Sequence, residues 1–248
     1  MIHNTTIAEA FARRKAIKII SGLNNFDVQN VTAVCRAAEI GGATFVDIAA
    51  CPQLVETVKQ SISLPVCVSS VSPQSLAEAV AAGADLVEIG NFDSFYPQGI
   101  TFSASDVLRL THHTRDLLPD VTLSVTVPHI LPLDEQVELA QALVASGADI
   151  IQTEGGTSAN PHHGGILGLM EKAIPTLAAA YAISRAVEVP VMCASGLSSV
   201  TAPLAIAAGA SGIGVGSAVN KLNDEVAMVA VVRSLVEALN STAVVASV

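Results

Sequence analysis

Tryptophan is absent, and only two Tyr and six Phe stand among the 248 residues. A core for a chain of this length must therefore come from Val, Ile, Leu and Ala. Such a core suits parallel strands covered on both faces by helices. Charge is also scarce, at 14% of residues against about 25% in ordinary domains. Basic residues are the scarcer sign, with 12 Lys and Arg against 22 Asp and Glu, for a net charge of −10. That balance argues against a broad nucleic-acid surface. It does not exclude a phosphate ligand, because backbone N–H groups at a helix start hold anions. Cys35, Cys51, Cys67 and Cys193 are widely spaced and form no CxxC pair. Neither a zinc knuckle nor a disulfide scaffold is expected, and a reducing compartment is the simplest setting. The opening segment has no apolar stretch before a cleavage-like site, so no signal peptide is expected.

One uncharged run, residues 189–220, is long enough to cross a bilayer. It contains two prolines and several glycines, and it divides into strand, turn, helix, turn and strand. No membrane segment is expected there.

A phrase recurs along the chain: GGATFVDIA, AGADLVEIG, SGADIIQTEG and AGASGIGVG. Each follows an alanine-rich helical pattern, so glycine ends a helix and a short turn enters a buried strand. Proline introduces two further strands, in LPVCVSS and VPVMCAS. The pattern predicts eight strands: 16–21, 44–49, 65–69, 85–90, 121–127, 149–154, 190–194 and 212–216. Helices are predicted over 28–40, 53–60, 73–81, 104–117, 133–145, 167–186, 199–207 and 224–239. Capping boxes are expected at Thr6–Glu9 and Ser103–Asp106, a cap at Ser72, and a cap for the helix over 28–40 at Asn25 or Asp27. Eight βα units point to an α/β fold, a (β/α)₈ TIM barrel forming one domain over residues 1–248. A first helix at 6–11 is placed to plug its bottom. The alternative is a doubly wound open sheet.

Function in such a barrel sits at the C-terminal ends of the strands. After strands seven and eight these ends read Ser195-Gly196-Leu197 and Gly214-Val215-Gly216-Ser217. Glycine lets backbone approach an anion, and a short helical turn at 217–220 adds N–H groups. Ser195, Gly196, Gly216 and Ser217 are thus the expected phosphate grip of a phosphate-binding barrel. Tight helix–strand packing is the competing explanation for small residues there.

DIIQTEGGTS, MCASGLS and GIGVGSAVN, together with the length, resemble the hypothetical chloroplast reading frame 23 family of cyanobacterial and plastid barrel proteins. The resemblance implies a barrel fold and a cytoplasmic setting, or the stroma for a plastid-encoded chain. It implies no reaction. The sixth strand, with Gly155-Gly156 and His162-His163-Gly164-Gly165, also resembles flavin-dependent nitronate monooxygenases. That resemblance implies FMN as cofactor, its phosphate held by the glycine loops, Gly155 and Gly156 beside it, and His163 near the flavin.

Lys18 lies inside AIKIISG, alternating with Ile17 and Ile19 and so facing the barrel interior. A buried ammonium needs a partner, and Asp47, Glu88 and Glu154 are candidates. Lys18 can form a Schiff base, hold a phosphate or flavin oxygen, or simply form an ion pair. Asp47, Glu88 and Glu154 are candidate proton-transfer groups, with His129 joining as an acid–base candidate. Asn91 and Asp93 are expected at the barrel mouth. His162 and His163 are adjacent and diverge, and no spaced ligand set accompanies them, so no metal centre is expected.

Three functions fit: an enzyme enolising, isomerising or cleaving a small phosphorylated metabolite; an FMN oxidoreductase; or a metabolite-sensing barrel without catalysis. A homo-oligomer is compatible with all three.

Overall fold

The computed structural model describes residues 2–156 and 159–241. Eight parallel strands close into a barrel: β1 Ala16–Gly22, β2 Phe45–Ala49, β3 Val66–Ser70, β4 Leu86–Ile89, β5 Thr122–Thr126, β6 Ile150–Gln152, β7 Val191–Ala194 and β8 Gly212–Val215. Each pairs with its sequence neighbours, and β8 returns to β1 with Ala16 opposite Gly212 and Lys18 opposite Gly214. The helices are α1 Thr5–Ala12, α2 Val28–Gly41, α3 Pro52–Ser61, α4 Pro73–Ala81, α5 Ala104–Leu117, α6 Leu133–Ala145, α7 Gly165–Ile183, α8 Ala202–Ala207, α9 Ser217–Asn220 and α10 Glu225–Ser241. The open-sheet alternative is excluded by the closure.

Local signals explain most boundaries. In the recurring phrase the glycine adopts the left-handed region, as at Gly42 (φ 91°), which ends α2 before β2. Asp27 caps α2 and Ser72 caps α4. Ser103 and Asp106 form the expected reciprocal box on α5. The expected box at Thr6–Glu9 is corrected: Asn4 caps α1 by accepting from the Ile7 N–H, so Thr6 already lies within the helix. α8 starts at Ala202 rather than 199 because Ser198 and Thr201 close a turn of their own. Two 3₁₀ turns after β4, Phe92–Ser94 and Tyr96–Gln98, carry no periodic signal and were not foreseen.

The run 189–220 resolves into β7, α8, β8 and α9, none longer than six residues. Among the described residues, α7 is long and apolar enough to span a bilayer by length and composition. Its Ala173, Thr176, Ala179, Ala180 and Ile183 are buried in the barrel's helical ring.

The interior is built in floors, because every second strand residue faces inward. The lowest floor holds Ala16, Phe45, Cys67, Leu86, Ile150 and Met192, sealed from below by Ile7 and Phe11 of α1. Two residues further along come Lys18, Asp47, Ser69, Glu88, Ser124 and Gln152, all buried and all polar. A larger apolar layer, including Ile19, Val46, Val68 and Ile213, fills the space between strands and helices.

Phe11, 3% exposed, stacks near Phe45 at 6.4 Å between ring centroids. Phe11→Ala should destabilise the fold by about 3–5 kcal/mol in chemical denaturation. A loss under about 1 kcal/mol would show that the plug does not seal the barrel.

Candidate functional site

The polar floor centres on Lys18. Its ammonium crosses the interior to Glu88 Oε2 at 2.6 Å and lies 3.8 Å from Asp47 Oδ2. Glu88 Oε2 also accepts from Ser124 Oγ at 2.8 Å. Glu88 Oε1 accepts from Gln152 Nε2 at 2.7 Å and from Asn91 Nδ2 at 3.4 Å. Asp47 Oδ1 accepts from Ser69 Oγ at 2.6 Å, whereas Asp47 Oδ2 has no hydrogen-bond partner. Of the three expected partners of Lys18, Glu88 and Asp47 meet it and Glu154 does not.

Burial works against the Lys18 charge, but the Glu88 and Asp47 carboxylates outweigh it and hold the ammonium above its usual range. A Schiff base needs a free amine, so this environment opposes that chemistry. Burial pushes the Asp47 carboxyl up to about 6, against the pull of Lys18.

A second cluster stands nearer the mouth. β6 stops at Gln152, and Glu154 leaves the ladder with its carboxylate buried. Glu154 Oε1 accepts from Tyr96 Oη at 2.6 Å and from the His129 N–H at 3.2 Å, and Oε2 accepts from the Asp93 N–H at 3.2 Å. His129 Nδ1 sits 3.3 Å from Glu154 Oε1 and 3.4 Å from Asp93 Oδ1. Asp93 Oδ2 accepts from Ser195 Oγ at 2.8 Å and from the Gly155 N–H at 3.3 Å. Burial disfavours charge on His129, yet Glu154 and Asp93 prevail and raise its pKa. Burial likewise raises Glu154, partly offset by His129. The imidazole and the two carboxylates thus stand within about hydrogen-bonding reach of one another at the barrel mouth. Asp93, His129 and Glu154 each offer one ligand atom, all within 4.8 Å of one another, so the group can also hold a metal ion. Each member was expected at a strand end, but no metal centre was expected and the set was not foreseen, because its members come from three separate strand ends.

A cavity of about 300 Å³ opens at this end. Glu154 and Asp93 line one side; Ser195, Gly196, Gly216 and Ser217 line another. Gln152, Ala194 and Ile20 also line it. Lys172 of α7 and Lys221, just past α9, join the lining, and neither has an ion-pair partner among the described residues. Both lysines were missed, because a lone lysine on a helical pattern reads as solvated surface. Tyr96 was missed too, although its aromatic loop, NFDSFYP, was the available signal. A larger hollow of about 680 Å³ lies by α1 at the opposite end, lined by Arg14 and Glu188 among others. Arg14 there is engaged by the Ala210 and Ile206 carbonyls. Barrels place their chemistry at the other face, where both polar clusters stand.

Lys18, Asp47, Glu88 and His129 fall outside the cavity lining, and so do three further expected residues. Gly156 is buried where a Cβ would lie 2.5 Å from Gly196 Cα, so it packs two turns backbone to backbone. Gly155 (φ 122°) packs against His129 and Pro175. His163 is exposed and hydrogen-bonded through Nδ1 to Glu171 Oε1 at 2.5 Å. Cys67 and Cys193 are buried free thiols, as expected of small core residues.

Fold and site together define an eight-stranded parallel barrel of the kind seen in phosphate-binding TIM-barrel enzymes. Among solved structures it is similar to (S)-3-O-geranylgeranylglyceryl phosphate synthase from Thermoplasma acidophilum (TM-score 0.61, 14% identity, covering 96% of this chain and 99% of that one). It is also similar to thiamine phosphate pyrophosphorylase from Pyrococcus furiosus (TM-score 0.62, 18% identity, 93% and 98%). A third likeness is 3-hexulose-6-phosphate synthase (TM-score 0.63, 17% identity, 90% and 99%). At these identities the likeness is one of fold. The family model described as "Protein of unknown function (DUF561)" matches residues 2–245. The uncharacterized protein ycf23 of Cyanophora paradoxa is 45% identical over 247 residues, 97% of this chain and 99% of its own length. That of Pyropia yezoensis is 40% identical over 229 residues, 92% and 84%. The chain belongs to the ycf23 family of plastids and cyanobacteria.

Two expected outcomes test the deep cluster. Lys18→Met leaves two buried carboxylates without their cation and should cost about 3–5 kcal/mol in urea unfolding; an unchanged midpoint would remove Lys18 from its central place. Folding raises the Asp47 pKa, so its contribution is full below about pH 4 and is lost as pH climbs through about 6. Asp47→Asn should therefore gain on the wild type by ~2–4 °C in Tm between those limits. A gap that does not change with pH would contradict it.

Proposed function

We propose that the protein binds a small phosphorylated metabolite over the ends of β7 and β8 and moves a proton on it. Enolisation, isomerisation or carbon–carbon cleavage would use that step. The observation that carries the reading is the pair Lys172 and Lys221. In a chain of net charge −10, two lysines without an ion-pair partner among the described residues, Lys172 half-buried and Lys221 exposed, line one cavity beside the glycine turns at Gly196 and Gly216. Two cations brought to glycine turns in so acidic a chain fit an anionic ligand. The names of the fold neighbours, which include a geranylgeranylglyceryl phosphate synthase and a thiamine phosphate pyrophosphorylase, support the same ligand class.

With the phosphate held by the lysines and turns, the rest of the ligand extends toward Glu154 and Asp93 across the cavity. Glu154 is suited to exchange a proton with it, since burial raises its pKa toward neutrality. His129 does not line the cavity. It positions Glu154 and supplies the compensating charge when Glu154 is ionised. Lys18, Asp47 and Glu88 hold the floor beneath. FMN is the weaker occupant: the cavity is at the small end of ligand sites, and His163 pairs with Glu171 instead of facing it. Family membership supports plastid stroma or cyanobacterial cytoplasm as the compartment.

Calorimetric titration with inorganic phosphate tests the anion site. Binding is expected, and the double variant Lys172→Met/Lys221→Met should weaken it about tenfold or more, roughly 1.4 kcal/mol. Equal affinity in wild type and double variant would sink the reading.

A further inference from the structure

We infer that the side-chain carbonyl of Gln152 accepts a hydrogen bond from a hydroxyl of the bound phosphate ester, so that the site selects a phosphorylated polyol over a plain alkyl phosphate. This rests on the phosphate reading above and adds the chemistry of the ligand's other half.

The orientation of the Gln152 amide is set by its neighbours. Nε2 donates to Glu88 Oε1 at 2.7 Å and to Thr126 Oγ1 at 3.1 Å. Glu88 is salt-bridged to Lys18, and a carboxylate in that state only accepts. The nitrogen must therefore face Glu88, and a flipped amide would set two acceptors against each other. Both N–H bonds are engaged, which leaves Oε1 as the remaining polar atom. Oε1 is buried and has no partner, in a side chain only 1% exposed. An orphaned buried acceptor is costly, and native structures rarely keep one without a reason.

Its surroundings give the reason. β8 presents Gly214 here, and a Cβ at that position would stand 3.3 Å from Gln152 Oε1. The same Cβ would stand 2.8 Å from Ala194 Cβ and 3.3 Å from Ile20 Cδ1, so glycine is required there by close packing and the oxygen's neighbours are apolar. Gln152, Ala194 and Ile20 all line the cavity, which places Gln152 at its inner end. A neutral acceptor among apolar neighbours fits a hydroxyl. Lys172 and Lys221 on the same cavity disfavour a cationic donor such as an ammonium.

The test is titration of the full chain with inorganic phosphate, propyl phosphate, and 2- and 3-hydroxypropyl phosphate. At least one hydroxylated ester should bind the wild type about tenfold tighter than propyl phosphate. In Gln152→Met that ratio should fall to about one; because a ratio is read, a general loss of affinity does not imitate the result. Should the variant not fold, the wild-type ratio decides alone. Inorganic phosphate binding with all three esters equal overturns the hydroxyl assignment and leaves the phosphate reading standing. A ratio that survives in Gln152→Met overturns the assignment to Gln152. No binding of phosphate or any ester overturns the phosphate reading and this inference with it.

Discussion

The ion pair between Lys18 and Glu88 is the constraint around which the barrel interior is arranged. Removing two charges from water is expensive, and a barrel interior supplies no water to compensate. The pair persists because its acceptor capacity is filled: Glu88 takes donors from β1, β5, β6 and the turn after β4. One carboxylate thus ties together strands that are not neighbours in the sheet. It fixes the Gln152 amide, holds Asn91 at the start of the 3₁₀ turns, and so sets where Asp93 begins. The upper cluster inherits its geometry from the lower one.

The two clusters differ in access, and that difference assigns their parts. Lys18, Asp47 and Glu88 are at most 1% exposed and absent from the cavity lining. A group that cannot meet a ligand cannot exchange a proton with it directly. Glu154 and Asp93 do line the cavity, and burial raises the Glu154 pKa. Carboxylates on neighbouring floors thus differ in access, sealed below and open to the cavity above.

Much of this was legible in the chain. Six of the eight strands could be counted from the Gly-Ala phrase and the two proline entries, and α9 was read at its observed limits. Alternation placed Lys18, Asp47 and Glu88 inward, and partnership followed from the cost of burying charge. What could not be read was assembly across the mouth. Asp93 and Glu154 are 61 residues apart, and Tyr96 reaches Glu154 only because two short 3₁₀ turns fold back. Such turns leave no periodic signature. Lys172 and Lys221 look solvated in sequence, since nothing local says that α7 and α9 bring them to one rim. His163 shows the reverse error: a motif resemblance marked it, yet it lies on the surface with Glu171.

The position of the cavity follows from how the polar floor is filled. Lys18, Glu88 and Gln152 send long side chains across the interior from β1, β4 and β6. β7 and β8 answer with Ala194 and Gly214, where a Cβ on Gly214 would lie 2.8 Å from Ala194 Cβ and 3.3 Å from Gln152 Oε1. Glycine is therefore required at that point by the side chains that meet it. The cavity opens above, lined by Gln152, Ala194, the turns at Gly196 and Gly216 and the two lysines. The long side chains of β1, β4 and β6 thus dictate small residues on β7 and β8, and the proposed anion site lies over those small residues.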